Sequence, residues 1–298
     1  MTSTSLNIAG KIDPATVEVL ELVEQIARGL SLPYVVIGAT ARDLILHHHY
    51  GAKIQRATQD VDFAIQVADW PAFEALRQAL LERGYRDTKR MHRLISPANG
   101  VVDIVPFGEI EEDGSKIAWP PAGEIQMTVL GLAEALETAV RVRLSADTNL
   151  TVPVATPVGL IVLKLIAWTE RPAELRVKDA TDIAYIVESY ERLPAVQEEC
   201  YDDVELMKAH GWDIALAAAE MLGRHAGPVL RSETAALLER LIDEGVGKLD
   251  LERLVEESCT HMETQFERHQ SLLDAFVKGF QSNNHKSDSQ AETPVPNE

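Results

Sequence analysis

Residues 60–67 alternate between small or polar side chains and bulky apolar ones, and this alternation is the strongest constraint on the fold. The segment reads DVDFAIQV. A two-residue period is that of a β-strand, because successive side chains point to opposite faces of a sheet. We therefore predict a strand that buries its apolar face and carries Asp60 and Asp62 together on the other face.

The rest of the first half predicts further strands that alternate with helices. Asp13 followed by Pro14 is typical of a helix start, and Thr40 with Asp43 three positions later forms a capping box for a second helix. An Asn-Gly pair at 99–100 indicates a hairpin turn. The predicted helices are 13–30, 40–50 and 70–83, the predicted strands are 34–37, 60–67, 92–96, 101–107 and 150–155, and the predicted loops are 51–59 and 108–123.

From residue 156 onward the pattern is helical. Apolar side chains recur at three- and four-residue intervals, as on the buried face of a helix. After residue 280 almost no apolar side chain remains, so the tail is predicted to be disordered. The chain is thus predicted to be of the α+β class, with an α+β domain over 1–155, a helical domain over 156–280 and a tail over 281–298. The helices predicted for the second domain are 157–170, 178–190, 202–223, 232–244 and 250–280.

Composition argues against several classes of function. The net charge is −19, so the surface as a whole repels nucleic acid and anionic membranes. The longest apolar run, 159–168, is too short to cross a bilayer, and no segment with a basic start and an apolar stretch opens the chain. The two cysteines belong to no Cys/His cluster, which argues against a disulfide framework or a structural zinc site. We therefore expect a cytoplasmic protein with no membrane partner.

Three carboxylates lie in strands that are predicted to be neighbours. Asp60 and Asp62 share one strand face, and Asp103 interrupts the apolar run VVDIV of the hairpin. Carboxylates placed together repel one another and are costly to desolvate unless a cation compensates them. Mg²⁺ prefers oxygen ligands, and two ions about 3.5–4 Å apart can clamp the attacking and leaving oxygens of a displacement at phosphorus. We predict a two-ion magnesium site at Asp60, Asp62 and Asp103.

A glycine turn and a lysine within an apolar helix extend this pattern. Gly38 follows an apolar strand and opens a helix, where backbone N–H groups could approach a phosphate. Lys164 interrupts the apolar helix 157–170, where a cation needs an anionic partner or a water-filled cavity. The phosphates of a substrate are one such partner, because positive groups offset the charge that develops during phosphoryl transfer.

Each of these features also has a purely structural interpretation. The Asp pair could be a solvated strand face, Gly38 a simple turn, and Lys164 a side chain that extends to solvent. Lys178 and Asp182, four residues apart on a helix, could form a surface ion pair. The three histidines at 47–49 point in different directions on a helix, so they are expected at the surface rather than around one shared metal ion.

Three segments together resemble the nucleotidyltransferase superfamily. They are IGATARD at 37–43, TQDVDFAI at 58–65 and VDIVPFG at 102–108, which give a small-residue pair after a strand, Asp-x-Asp on the next strand and a third acid further on. Downstream, Lys164 and the KDATD segment at 178–182 are similar to the AbiEii-like branch, whose members are toxins of type IV toxin–antitoxin and abortive-infection systems. The resemblance covers about residues 33–190.

The resemblance implies a Mg²⁺-dependent enzyme that moves a nucleoside monophosphate from an NTP to an acceptor. It also implies a mixed β-sheet of the nucleotidyltransferase type, a helical domain after it, and a cognate antitoxin as partner. Asp103 would be the third acid and a base for the acceptor. Carried over by position, the nucleotide-binding residues are Gly38, Ala39, Thr40, Arg42 and Lys178, the magnesium ligands are Asp60, Asp62 and Asp103, and Lys164 and Asp182 complete the catalytic set.

The sequence leaves the acceptor open. The basic stretch Arg83–Arg93 favours RNA, although a solvated helix end is the alternative explanation. RDLIL at 42–46 is similar to a segment of tRNA CCA-adding enzymes, whose strongly basic RNA-binding body is missing here. The acidic net charge instead favours a small molecule of the aminoglycoside type or a protein hydroxyl. A chain of this fold that has lost catalysis and acts as a binding module is a further alternative, although all three acids are retained.

Two features depart from the family pattern. The small-residue pair is Gly38-Ala39, where Gly-Gly or Gly-Ser is common. Residues 40–59 also form a long connection between this pair and Asp60.

Overall fold

The computed structural model describes residues 5–54, 60–121, 123–146, 150–259 and 265–291, with side chains as far as 282. The chain divides into two compact units, 1–163 and 164–298. The first unit contains a β-sheet with helices, and the second is helical. The division falls inside a helix, slightly later than the 155/156 boundary that the sequence predicts.

Strands and helices are mixed in the described part of the chain up to residue 154, and the described elements after it are helical. The strands are β1 Leu6–Asn7, β2 Tyr34–Ile37, β3 Val61–Val67, β4 Arg86–Asp87, β5 Arg93–Ile95, β6 Val101–Gly108, β7 Lys116–Ala118, β8 Gln126–Thr128, β9 Val140–Arg143 and β10 Thr151–Val154. The helices are α1 Pro14–Gly29, α2 Gly38–Arg42, α3 Trp70–Glu82, α4 Leu132–Glu137, α5 Pro157–Glu170, α6 Ala173–Ser189, α7 Pro194–Asp202, α8 Val204–Ala209, α9 Ile214–Ala226, α10 Ser232–Asp243, α11 Leu251–Ser258 and α12 Phe266–Ala291.

The sheet of the first unit is mixed, as predicted. Among the described residues it has eight strands in the order β1-β9-β10-β2-β3-β6-β5-β4. Its centre is β3, which pairs antiparallel with β2 and parallel with β6. The strand alternation is confirmed, because Val61, Phe63, Ile65 and Val67 are buried whereas Asp62 is only partly covered.

The start of α2 differs from the predicted capping box. The Asp13 cap of α1 is confirmed, since its side chain accepts from the Thr16 N–H. Thr40 caps nothing, because α2 already begins at Gly38, whose φ of +70° turns the chain out of β2. The Thr40 hydroxyl instead donates to the Asp60 carbonyl at 2.7 Å. The capping box is therefore wrong, and the segment after Arg42 is a π-helical turn, Asp43–His49, rather than α-helix.

Several short strands lie where the sequence predicts a loop or gives no pattern. Strands β7 and β8 pair as a separate hairpin, and β7 falls inside the predicted loop 108–123. They are three residues long, too short for alternation to be distinguished from chance. Residues 51–54 of the predicted loop 51–59 are irregular, and 55–59 lie outside the described residues.

The helical unit contains more breaks than the periodicity predicts. The predicted helix 202–223 is divided among α7, α8 and α9, because Asp203 and Asp213 begin new helices as N-caps. The predicted helix 250–280 is divided into α11 and α12. Helix α12 continues to Ala291, into the segment predicted as a tail, and Gln281 still donates to Asp243. Residues 292–298 of that tail lie outside the described residues.

Across the described ranges, no helix combines the length and the apolar character that crossing a membrane requires.

Candidate functional site

The strand register aligns three charged side chains in one row across the sheet. Asp62 of β3 lies opposite Asp103 of β6, and Asp103 lies opposite Arg93 of β5. Side chains at paired positions of neighbouring strands point to the same face. Asp103 lies on the half-buried face of β6, whereas Val102 and Ile104 point to the core. The acid within an apolar run is thus ordinary strand alternation, not a carboxylate buried in the core.

Gly38 lies directly against the Asp62 carboxylate. A Cβ atom at Gly38 would overlap the nearer Asp62 carboxylate oxygen and would lie 2.8 Å from Asp62 Cγ. The φ of +70° at Gly38 is also a conformation that favours glycine. The structure therefore brings the glycine turn and the second acid of the Asp-x-Asp pair together, as the sequence predicts.

Asp60 stands immediately before β3, at the edge of the described part of the chain. Its side chain is exposed, and its carbonyl oxygen accepts the Thr40 hydrogen bond. Thr40 and Ala39 are buried. Thr40 thus holds the backbone of the Asp-x-Asp pair, and its hydroxyl proton is not directed at solvent.

Asp103 is bound by an arginine that the sequence interpretation did not include among the site residues. Arg93 Nε donates to Asp103 Oδ1 at 2.7 Å, and Nη2 donates to Oδ2 at 2.6 Å. This hydrogen bond raises the pKa of Arg93, and the charges of Asp103, Asp60 and Asp62 raise it further. The guanidinium therefore lies in the field of all three acids.

The three acids do not form a ready-made metal cage. Within the described residues, no group of three His, Cys, Asp or Glu side chains is arranged to hold a metal ion. Asp62 and Asp103 are neighbours in the row, but both Asp103 oxygens accept from Arg93. Donor chemistry still fits magnesium, because Mg²⁺ commonly takes one or two protein carboxylates and completes its shell with water and substrate phosphates.

Two residues expected to bind the nucleotide have different environments. Arg42 is fully buried inside the first unit, and its Nε donates to Asp43 at 2.8 Å. Lys178 is exposed on α6. The histidines at 47–49 are half-buried in the π-helical turn, where His47 Nδ1 lies 2.7 Å from the Ala52 carbonyl oxygen.

In the second unit, Lys164 is held between two buried carboxylates. Its Nζ lies 2.9 Å from Asp179 Oδ1 and 2.7 Å from Asp182 Oδ2, and both acids are 0 % exposed. Arg171 also pairs with Asp179, at 2.8 Å. Lys164 therefore does not extend to solvent, and the ion pair of Asp182 is a buried one with Lys164.

Sequence reasoning missed Arg93, Asp179 and Arg171 as partners of the site residues. Asp179 stands in the KDATD segment beside two predicted residues, so a helical wheel would have placed it near Asp182. Arg93 could be recognised only from the register of β5 on β6, which alternation does not give.

Comparison with known proteins identifies a family. A family profile described as "Nucleotidyl transferase AbiEii toxin, Type IV TA system" matches residues 22–275. No protein of the curated set matches significantly.

Solved structures show weaker likeness. The antibiotic-resistance factor ANT(2'')-Ia is 16 % identical with a TM-score of 0.37, over 67 % of this chain and 100 % of that chain. A nucleotidyltransferase-like protein from Paracoccidioides brasiliensis is 17 % identical with a TM-score of 0.35, over 64 % and 89 %. The Thermotoga maritima CCA-adding enzyme complexed with tRNA is 13 % identical with a TM-score of 0.26, over 98 % and 87 %. These TM-scores are below 0.5, so the likenesses support no conclusion about activity.

Proposed function

This chain belongs to the AbiEii nucleotidyltransferase toxin family of type IV toxin–antitoxin systems, and from that premise we propose how its own residues carry out nucleotidyl transfer. Asp60 and Asp62 bind magnesium, and the turn at Gly38 faces the nucleotide. The observation that carries the proposal is the contact between the Gly38 backbone and the Asp62 carboxylate. A side chain at residue 38 would occupy the space that this carboxylate needs.

Magnesium, when bound, would neutralise charge on the phosphate oxygens of the NTP. Asp60 and Asp62 offer the hard oxygen donors that this ion prefers. Thr40 keeps Asp60 in place through its bond to the Asp60 carbonyl. Asp103, next to Asp62 in the row, completes the acidic set.

Lys164 and Asp182 are the proposed catalytic residues of the second unit. Asp179 and Asp182 hold the Lys164 ammonium in one position, and a fixed cation loses little free energy to reorganisation when a phosphate binds to it. Asp179 and Arg171 act as positioning residues, because Asp179 holds Lys164 directly and Arg171 in turn holds Asp179. Exposed Lys178 remains a proposed phosphate contact.

The proposed acceptor is RNA, with tRNA as the leading candidate. The support is the basic stretch Arg83–Arg93, which includes the exposed residues Arg86, Lys89 and Arg90 next to the strand that pairs with β6. Cations at such an edge attract a polyanion even on an acidic protein. A small-molecule or protein acceptor is the second candidate, favoured by the net charge of −19. A cognate antitoxin is the proposed regulatory partner.

Transfer of label tests the acceptor. The purified chain is incubated with Mg²⁺, each α-labelled NTP and one acceptor pool: total RNA, aminoglycosides or a protein extract. We expect label on RNA that RNase removes, and none after chelation of magnesium. Label on small molecules or protein would assign the second candidate. Magnesium-dependent NTP binding with no labelled product in any pool would show a binding module instead of an enzyme.

A further inference from the structure

Arg93 is the one residue of the charged row that has the opposite sign. It binds both Asp103 oxygens, at 2.7 and 2.6 Å, in the two-pronged geometry that arginine forms with carboxylates. The pair is partly shielded, with the Arg93 side chain 31 % and the Asp103 side chain 16 % exposed. Neither partner is therefore a fully solvent-exposed charge.

Arg93 gives Asp103 a cation of its own, so a metal ion that used this carboxylate would have to compete with the guanidinium. The first ion of the proposed site is the one at Asp60 and Asp62. A second ion would have to use an Asp103 oxygen, and each of these oxygens already accepts a hydrogen bond from the positively charged guanidinium.

We propose that Arg93 is a positioning residue that occupies Asp103 as an internal cation until a divalent ion arriving with the nucleotide takes over that carboxylate. The proposal rests on the proposed function, since it assumes a first ion at Asp60 and Asp62. Asp103 then becomes a metal ligand only when nucleotide is bound. Without nucleotide the site holds one ion, and the second ion enters only when triphosphate charge offsets the cost of displacing Arg93.

Binding of Mn²⁺, a paramagnetic substitute for Mg²⁺, tests this without any turnover. The full chain is titrated with Mn²⁺ in the absence of nucleotide, and bound ions are counted by electron paramagnetic resonance. We expect one Mn²⁺ for the wild type. We expect Arg93→Gln to gain a second ion or to bind Mn²⁺ about tenfold more tightly, because groups that hydrogen-bond a metal ligand change affinity by such factors.

Two controls separate the ion pair from general electrostatics. Arg90→Gln removes the same charge from the same edge, at an exposed residue, and should leave Mn²⁺ binding nearly unchanged. Adding Asp103→Asn to Arg93→Gln should abolish the gain. Far-UV circular dichroism confirms that each variant is folded, and Arg93→Lys, which keeps the charge but loses the two-pronged bond, should give an intermediate affinity.

The outcomes distinguish this proposal from the proposed function. Equal affinities for Arg93→Gln and wild type, or weaker binding by Arg93→Gln, would overturn the role of Arg93 while the first ion remains. Wild-type binding that Asp62→Asn does not reduce would instead overturn the magnesium site itself.

Discussion

At Gly38, the backbone conformation and the neighbouring carboxylate impose two separate requirements. We expect Gly38→Ala to destabilise the protein by more than the roughly 1–2 kcal/mol of a left-handed alanine, because its Cβ also overlaps the Asp62 carboxylate. The displaced carboxylate should lower transfer activity about a hundredfold, as misplacement by an ångström can. Urea unfolding and a labelled-NTP assay measure the two effects.

Gly51 provides the matched control for Gly38. Its φ is +72°, and a Cβ there meets nothing within 4 Å. Gly51→Ala should therefore show the backbone cost alone and keep full activity. Equal losses of activity in the two variants would contradict the role given to the Gly38–Asp62 contact.

Lys164 should be necessary for stability as well as for the proposed catalysis. Lys164→Met leaves Asp179 and Asp182 as buried carboxylates without their lysine. Removal of one partner from a buried ion pair costs about 3–5 kcal/mol, so we expect a loss of that size in the free energy of unfolding. Lys178→Met, at an exposed residue of α6, should change it by less than about 0.5 kcal/mol. Similar losses in both variants would argue against the buried network.

Residue by residue, the sequence predicts the acids better than their partners. Period-two alternation is a local property, so it places Asp62 on one face without any tertiary information. The Arg93–Asp103 pair and the Lys164 network depend on how strands and helices align, which local periodicity does not determine. Arg42 shows the same limit, because its complete burial is a result of tertiary packing that the local pattern does not give.

At the scale of elements, the tight crossing of α9 and α12 depends on two glycines. A Cβ at Gly223 would overlap the Phe276 carbonyl and lie 2.6 Å from the Phe280 nitrogen, and one at Gly279 would overlap the Glu220 carbonyl. We expect Gly223→Ala to lower the free energy of unfolding by at least about 1–3 kcal/mol, the usual cost of overpacking. Thermal or urea unfolding measures it.

Gly29, the last residue of α1, is the control for that helix crossing. A Cβ there has nothing within 4 Å, so Gly29→Ala should be neutral or slightly stabilising, because alanine favours helix over glycine. If Gly223→Ala were equally harmless, the close approach of α9 and α12 would be wrong.

Long periodic elements are predicted well, and their interruptions are not. Helix α5 has the bounds that periodicity gives. The break between α8 and α9 was missed although Gly211 and the capping Asp213 mark it, because apolar spacing continues across the turn. The capping box at Thr40 failed since Gly38 had already started α2.

At the scale of the whole molecule, paired acids predict sensitivity to low pH. A hydrogen bond from Arg268 holds the pKa of Asp213 below 3.8. Burial raises the pKa of Glu220. Hydrogen bonds from Lys278, His210 and Arg224 lower it by more, so that the pKa lies below its ordinary value. Such carboxylates stabilise the fold above their unfolded pKa values and lose that contribution as pH falls through the folded values. We expect the contribution of these carboxylates to the free energy of unfolding to be complete near neutral pH and to decrease progressively below about pH 4.5.

Arg268→Gln tests the cause of this acid sensitivity. It should destabilise the protein at pH 7 and reduce the further loss between pH 4.5 and 3, because Asp213 has lost its main partner. Arg240→Gln, at an exposed residue of α10, should leave the pH profile parallel to that of the wild type. An unchanged acid profile in Arg268→Gln would contradict the assignment.

The spacing of apolar residues predicts the two-part organisation of the molecule. Two-residue spacing occurs in the first half, and helical spacing continues over a long stretch of the second half. Spacing and composition do not select the acceptor, since the net charge and the local basic stretch Arg83–Arg93 favour different classes. That choice depends on which charges the fold gathers around one site.

The central claim is that Asp62, placed against Gly38, is required for magnesium-dependent nucleotidyl transfer. The most direct measurement compares the rate of label transfer from NTP by wild type, Asp62→Asn and Glu109→Gln, at equal magnesium and acceptor. We predict a loss of at least about a hundredfold for Asp62→Asn, since a metal supplies several kcal/mol of charge stabilisation. Glu109→Gln, which neutralises an exposed acid of the same unit, should retain the wild-type rate. Comparable rates for all three proteins would contradict the claim.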